Sequence, residues 1–504
     1  MINKVRYCVG SVGHSRAAEY ALRTLLEMVV SPDCLVVGSG TTERRDDEVL
    51  VTYGRAGEGM ERGVHMFASG FFGDHYGTID AMPERPVVRI ESIPALYHDD
   101  QGPTEKFCSV QDHGRGVHID CYVDIVAGAF FMLSRCEETV VRSVDAFDCF
   151  PAESSIAYQE GFLQEPIVNQ YAEQLLKMLR VAGFVGERRR WWGTAPWAIA
   201  LTHDVDQLHR FPHAKPPAHA IVRSVTGRGS VMDHMTVQDY VQTIIHRKAD
   251  EYNCLLEMAA WEISIGARSA YYLLADNVGR HCADYAVDAF DVVAPVKTLA
   301  NMGHEVGFHP GFQAYEDAER FHKELLRVRS AGVPISGGRQ HYLRWKTPAT
   351  WRLWEQEGLA YDASLGYSKA AGFRCGTCLP FHPYDIEKDR EMSILEWPLI
   401  FMDATYLLSW PEGTKVLDRL AEECRRYGGV LVLLWHNRNW SSLYAPVVRE
   451  YFQGWLQQSL ARGVVVNSIR GLTQIADAAL AGAPARTFRD VPDEQLLDSE
   501  EDRK

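Results

Sequence analysis

WAIALTHDVD, residues 197–206, places five apolar side chains directly ahead of two aspartates. A short apolar run that ends in polar residues reads as a strand buried on both faces, the kind found in parallel α/β sheets. Period-two geometry puts Thr202, Asp204 and Asp206 on one face, so two carboxylates emerge together where the strand ends. Close carboxylates repel, and the cost is tolerable when a cation binds one and leaves the other to handle protons.

Further strand and helix signals follow that stretch. YYLLAD near 271, HEVGFH at 304, a helical repeat over 316–330 and GVLVLLWHN at 429 alternate as βα units. The pattern predicts a parallel sheet, open or closed into a barrel, with working residues at the strand C-terminal ends. NMGHEVGFHPG supplies His304 and His309. Imidazole beside carboxylate suits zinc or another borderline divalent ion, and a catalytic site needs three protein ligands plus water. Spacing alone does not choose between the two histidines.

These segments resemble a known family. THDVD and GHEVGFH are similar to the first two motifs of the polysaccharide deacetylase (NodB-homology) superfamily. GGRQHYLRW at 337, YDASLGY at 361, GFRCGT at 372 and LLWHN at 433 follow in the family's order. The resemblance implies an α/β fold, a distorted (β/α) barrel of the NodB-homology type. It also implies a divalent metal, preferably zinc, and hydrolytic removal of an acetyl group from an N-acetylated carbohydrate or conjugate. On it, Asp204 matches the general base, Asp206 the metal-binding carboxylate and His309 the first metal histidine. The second histidine of the family's pair is replaced by Gln313, a weaker zinc ligand, and His341 in RQHYLR is the candidate that takes its place. Arg339 or Arg344 matches the arginine that orients the base, His436 matches the general acid, and Asp362 the carboxylate that holds that imidazole protonated. Trp345, Tyr367, Trp397 and Trp435 serve equally as a sugar-stacking platform or as core. Two rival readings are a cyclic amide hydrolase of the same fold and a non-catalytic glycan-binding protein, the latter suggested by Gln313.

Upstream, a charged break at Gly186–Arg190 marks a boundary between 186 and 196. It divides an accessory α/β domain (1–190) from the deacetylase-like barrel (196–480), with an acidic, disordered tail over 483–504. Helical spacing over 17–30 and 166–179, and the strand CLVVGSG with its Gly38-Ser-Gly40 turn, support the α/β assignment. LSRCEE and GFLQEPIVNQY are similar to the accessory region of cytoplasmic family members. The Pro-rich 211–230 loop, carrying Lys215, Arg223 and Arg228 with Arg210 before it, reads as a surface loop or as a cationic lid.

Bulk properties narrow the classes. A chain of 504 residues exceeds one ordinary core. A net charge of -15 with scattered cations argues against nucleic-acid partners. Neither a signal peptide nor a bilayer-length apolar run is legible, which predicts a cytoplasmic protein without membrane insertion. Eleven irregularly spaced cysteines predict free thiols, with Cys375-Gly-Thr-Cys378 a coincidental CxxC. VPISGG at 333 lacks the first glycine of a serine-nucleophile elbow.

Overall fold

The computed structural model describes residues 2–36, 46–54, 62–99, 103, 105–114, 116–211, 215–228, 230–245, 250–406, 412–440 and 446–480. Gly38–Gly40 and the acidic tail lie outside them. The chain forms two main sheets, one on each side of the charged break.

The first sheet contains β1 (Lys4–Val9), β2 (Leu35–Val36), β3 (Glu48–Tyr53) and β4 (Gly63–Met66). After a hairpin of β5 (Val88–Ile90) and β6 (Ile93–Ala95), it is completed by β7 (Cys108–Asp112) and β8 (Val117–Cys121). The order is β2-β1-β3-β4-β8-β7, parallel except for the edge strand β7. Helices α1 (Ser15–Val29), α2 (Ile125–Leu133) and α5 (Ile167–Val181) pack on one another, and α1 and α5 also meet the sheet. The short α3 (Cys136–Val140) and α4 (Ile156–Gln159) lie between α2 and α5 in the chain. Asp124 starts α2 by accepting from Ala127 N at 2.9 Å and also holds Tyr53 Oη (2.9 Å) and Ser69 N (2.8 Å).

The second sheet is wholly parallel. Its strands are β9 (Ala198–Val205), β10 (Ala270–Leu274), β11 (Glu305–His309), β12 (Gly337–Gly338) and β13 (Tyr361–Asp362). A separate hairpin, β14 (Tyr384–Asp385) with β15 (Arg390–Glu391), precedes β16 (Leu395–Glu396), β17 (Phe401–Met402), β18 (Val430–Leu434) and β19 (Val465–Asn467). Their order is β16-β13-β12-β11-β10-β9-β18-β17, with β19 beside the start of β9. All eight residues of β9 are buried, as an apolar run covered on both faces should be.

This sheet curls. Arg339, following β12, donates to Thr202 Oγ1 at 2.9 Å and Asp204 Oδ1 at 2.8 Å on β9, three strands away. At about 4.8 Å per strand a flat sheet would separate them by about 14 Å. The interior is filled by groups such as Tyr272 and Tyr361, whose hydroxyls meet at 3.1 Å, and by the Arg339 guanidinium over the Tyr272 ring. The result is an α/β fold with a curled, parallel, half-barrel sheet; β16 and β17 do not pair with each other among the described residues.

Close approach at β12 depends on glycine. A Cβ on Gly338 would stand 1.8 Å from the Phe308 carbonyl oxygen of β11. Gly338→Ala is therefore expected to force the strands apart, costing about 3 kcal/mol in urea denaturation and displacing Arg339 and His341.

The CxxC cysteines are buried, and all eleven cysteines are unpaired. No helix of the described residues is long and apolar enough to cross a membrane.

Candidate metal centre

The C-terminal ends of β9, β11, β12 and β18 converge on one point. Asp206 Oδ1 lies 3.4 Å from His309 Nε2 and 3.5 Å from His341 Nδ1, and the two ring nitrogens are 3.0 Å apart. Oδ1 is buried without a hydrogen-bond partner among the described residues. Ligands about 2.0–2.1 Å from a tetrahedral ion are spaced by roughly 3.3 Å, close to all three separations. The donor set of one carboxylate oxygen and two imidazoles therefore fits a divalent cation. It is also the group of metal-capable side chains found among the described residues.

The orientation of each ligand has a local cause. His309 Nδ1 donates to the Arg339 carbonyl at 2.5 Å, which leaves Nε2 with its lone pair toward the cluster. His341 is followed by Tyr342 and Leu343, both with positive φ (59° and 55°), an uncommon conformation for such side chains. That turn is buttressed from the N-terminal part of the chain. Cys149 Sγ donates to the Leu343 carbonyl, and Arg344 turns away from the cluster to the Phe147 carbonyl at 2.8 Å and to Asp148.

Asp204 stands beside this triangle, with His309 Nε2 3.8 Å from its Oδ2 and Arg339 on its Oδ1. Opposite it, His436 Nε2 is 3.7 Å from Asp206 Oδ2, while Nδ1 is 2.6 Å from Asp403 Oδ1. Asp403 also receives His436 N (2.7 Å) and Asn439 Nδ2 (2.6 Å) on Oδ2.

Electrostatics follow the contacts. Burial would push the Asp206 carboxyl up, but the contact with the His309 ring and the neighbouring imidazoles of His341 and His436 outweigh it and hold it well below the usual range. Burial disfavours the charged form of His436, and Asp403 overcomes this to raise its pKa. Burial pushes His341 down to about 3, so it presents a neutral ring.

A cavity of about 800 Å³ opens onto these groups. Its walls include Phe147 from the N-terminal part, Tyr342, Met402, and two cations, Lys369 and Arg438.

Several expectations need correcting. Asp362 does not hold His436: it accepts from Ser364 Oγ (2.6 Å) and Ser364 N (2.9 Å), and burial beside Glu396 pushes its carboxyl up. Asp403, from a segment without a recognised motif, takes that place because β17 pairs with β18 and sets Met402 opposite Leu434. Gln313 is exposed and outside the cluster. His304 is buried at the opposite end of β11, on Ser269 and Glu262. Of the two arginines, Arg339 is the one on Asp204. Trp345, Tyr367, Trp397 and Trp435 are buried core rather than a stacking platform. Lys215, Arg223 and Arg228 are exposed and do not line the cavity.

Residues 11–183 match a family described as being of unknown function, DUF7033. No curated protein matches the chain. Among solved structures, one assigned as a polysaccharide deacetylase from Mycobacterium smegmatis is 17% identical, covering 59% of this chain and 96% of that one, with a TM-score of 0.36. The Xyl-CE4 domain of a multidomain xylanase from the hindgut metagenome of Trinervitermes trinervoides is 11% identical, covering 46% and 88%, with a TM-score of 0.24. Superpositions this loose carry no weight in assigning the chemistry.

Proposed function

We propose that the chain is a metal-dependent amide hydrolase that removes the acetyl group from an N-acetylated sugar or sugar conjugate. The observation that carries this reading is the Asp206–His309–His341 triangle, flanked by an arginine-held carboxylate and a carboxylate-held imidazole in one cavity. Asp206, His309 and His341 would hold the cation, which when bound supplies Lewis acidity to the scissile carbonyl and to water.

The remaining groups handle protons. Asp204 Oδ2 takes the proton from the attacking water, and Arg339, occupying Oδ1, orients that carboxylate. His436, kept charged by Asp403 through Nδ1, gives the proton on Nε2 to the departing amine. The two groups act in opposite protonation states, so the rate should be bell-shaped in pH. Lys369 and Arg438 at the cavity wall favour a substrate with an anionic substituent.

Metal analysis of the purified chain, coupled to acetate release from a panel of N-acetylhexosamines and their phosphate conjugates, tests the proposal. Stoichiometric metal with acetate release supports it. Metal-free protein that releases no acetate after zinc or cobalt is added rejects it. Asp403→Asn is expected to lower kcat roughly 10²-fold with little change in KM, because His436 loses its counter-charge; an unchanged kcat would remove Asp403 from this role.

A further inference from the structure

His341 stands at the head of a turn that its own sequence does not favour. Tyr342 and Leu343 follow it with positive φ, and neither is glycine, asparagine or aspartate, the residues that tolerate this region. Such a conformation persists where surrounding contacts over-determine it, and such places cluster at functional sites. The turn closes on itself through Leu343 N to the Gln340 carbonyl at 3.0 Å and Arg344 N to the His341 carbonyl at 3.3 Å.

Further contacts reach it from far upstream, from residues 145–149 of the N-terminal part. Asp145 gives that segment its shape: Oδ1 accepts from Phe147 N (2.8 Å) and Cys149 N (3.1 Å), and its own N–H donates to the Cys149 carbonyl (2.9 Å). So formed, the segment offers the Phe147 carbonyl to Arg344 Nε at 2.8 Å and the Asp148 carboxylate to Arg344 Nη2. The Cys149 thiol turns to the Leu343 and Tyr342 carbonyls, at 3.5 and 3.7 Å. The Phe147 ring packs 5.1 Å from that of Tyr342 and lines the cavity over the metal centre.

Arg344 is buried and also donates through Nη1 to the Phe312 carbonyl, in the loop that follows His309. It thereby ties three loops together, and two of them carry or adjoin metal-facing histidines. Relaxation of Tyr342 toward negative φ would redirect the backbone next to His341, whose Nδ1 faces His309 Nε2 at 3.0 Å. Adhesion between the two parts of the chain is supplied elsewhere, by the buried Glu138–Arg374 pair.

We propose that residues 145–149 are a positioning element for the metal centre, holding His341 in its ligating place through Arg344 and the Tyr342–Leu343 turn. The inference rests on the reading of the Asp206–His309–His341 triangle as a metal site. It gives the N-terminal part a share in a centre built on the second sheet.

Competition between the metal-free full chain and a chelator of known affinity measures Zn2+ binding, and the visible spectrum of the Co2+-loaded chain reports on its ligands. Arg344→Gln should weaken Zn2+ binding roughly 10-fold or more, the scale on which residues supporting metal ligands act, and should weaken the Co2+ bands as water replaces an imidazole. Asp145→Ala loosens the segment and leaves Arg344 in place; it should lower affinity in the same direction, by about 3-fold or more. Adding Tyr342→Gly to Arg344→Gln should restore part of the loss, because glycine takes positive φ readily. Binding measured well below each variant's melting temperature separates an effect on the ligand from a general loss of stability, and if Arg344→Gln does not fold, Asp145→Ala decides. Parent-like Zn2+ affinity in either single variant overturns the inference, as does a double variant that binds no more tightly than Arg344→Gln. A parent chain that binds no Zn2+ rejects the metal reading itself, and the inference with it.

Discussion

Asp206→Ala is expected to lose tightly held divalent metal and to lower acetate release at least ~10³-fold, since metal polarisation is worth several kcal/mol and about 1.4 kcal/mol is tenfold in rate. The side chain sits at the centre of the arrangement, within 4 Å of His309, His341 and His436. Removing it leaves two imidazole nitrogens 3.0 Å apart with no carboxylate to balance a cation. The fold should survive, because Asp206 follows the last residue of β9 and its Oδ1 has no hydrogen-bond partner to lose among the described residues. Inductively coupled plasma analysis with an acetate assay reads both effects. Parent-level metal content in the variant would show that the triangle is not the binding site.

Glu138→Ala should cause the largest loss of stability. The Glu138 carboxylate on α3 receives Arg374 Nε and Nη2 at 2.8 and 2.9 Å, Arg135 Nε at 2.9 Å and Thr347 Oγ1 at 2.9 Å. Both arginines are buried, and Arg374 and Thr347 belong to the part of the chain that carries the curled sheet. The variant strands two buried guanidinium groups, which typically costs 3–5 kcal/mol and, at about 2.1 cal/mol/K of unfolding entropy per residue over a chain of this length, corresponds to roughly 3–5 °C in melting temperature. Burial would raise the Glu138 pKa, but Arg374 and Arg135 outweigh it and bring it down to about 2. A depressed carboxyl stabilises above its unfolded value and loses that contribution as pH falls, so the clamp should weaken from about pH 4.5 down to about 2. Glu137 acts in the opposite sense: burial pushes it up to about 7, so ionising it costs stability as pH rises from about 4.5 toward 7. Thermal melts of parent and Glu138→Ala should therefore converge at low pH. A melting temperature at pH 7 within a degree of the parent would refute the clamp.

Much of the metal centre could be read from local pattern. Asp204, Asp206, His309 and His436 each follow or end an apolar run, and the C-terminal end of a buried strand is where a parallel sheet exposes chemistry. Asp362 misled for the same reason: it also ends a strand, but its carboxyl turns to Ser364 and Glu396. Arg339 and Arg344 stand five residues apart in one motif, and only the positive-φ turn at Tyr342 and Leu343 directs them to different partners. The aromatic residues near the motifs were ambiguous because burial depends on what packs over them, a property of distant segments.

By itself the sequence determined a parallel α/β arrangement with carboxylates and imidazoles at successive strand ends, because hydrophobic period and strand geometry act over a few residues. Tertiary structure alone decided that His341 rather than Gln313 completes the triangle and that Asp403 rather than Asp362 holds His436. Those choices depend on how far the sheet curls and which strands become neighbours, and the contacts that set both join residues tens to hundreds of positions apart.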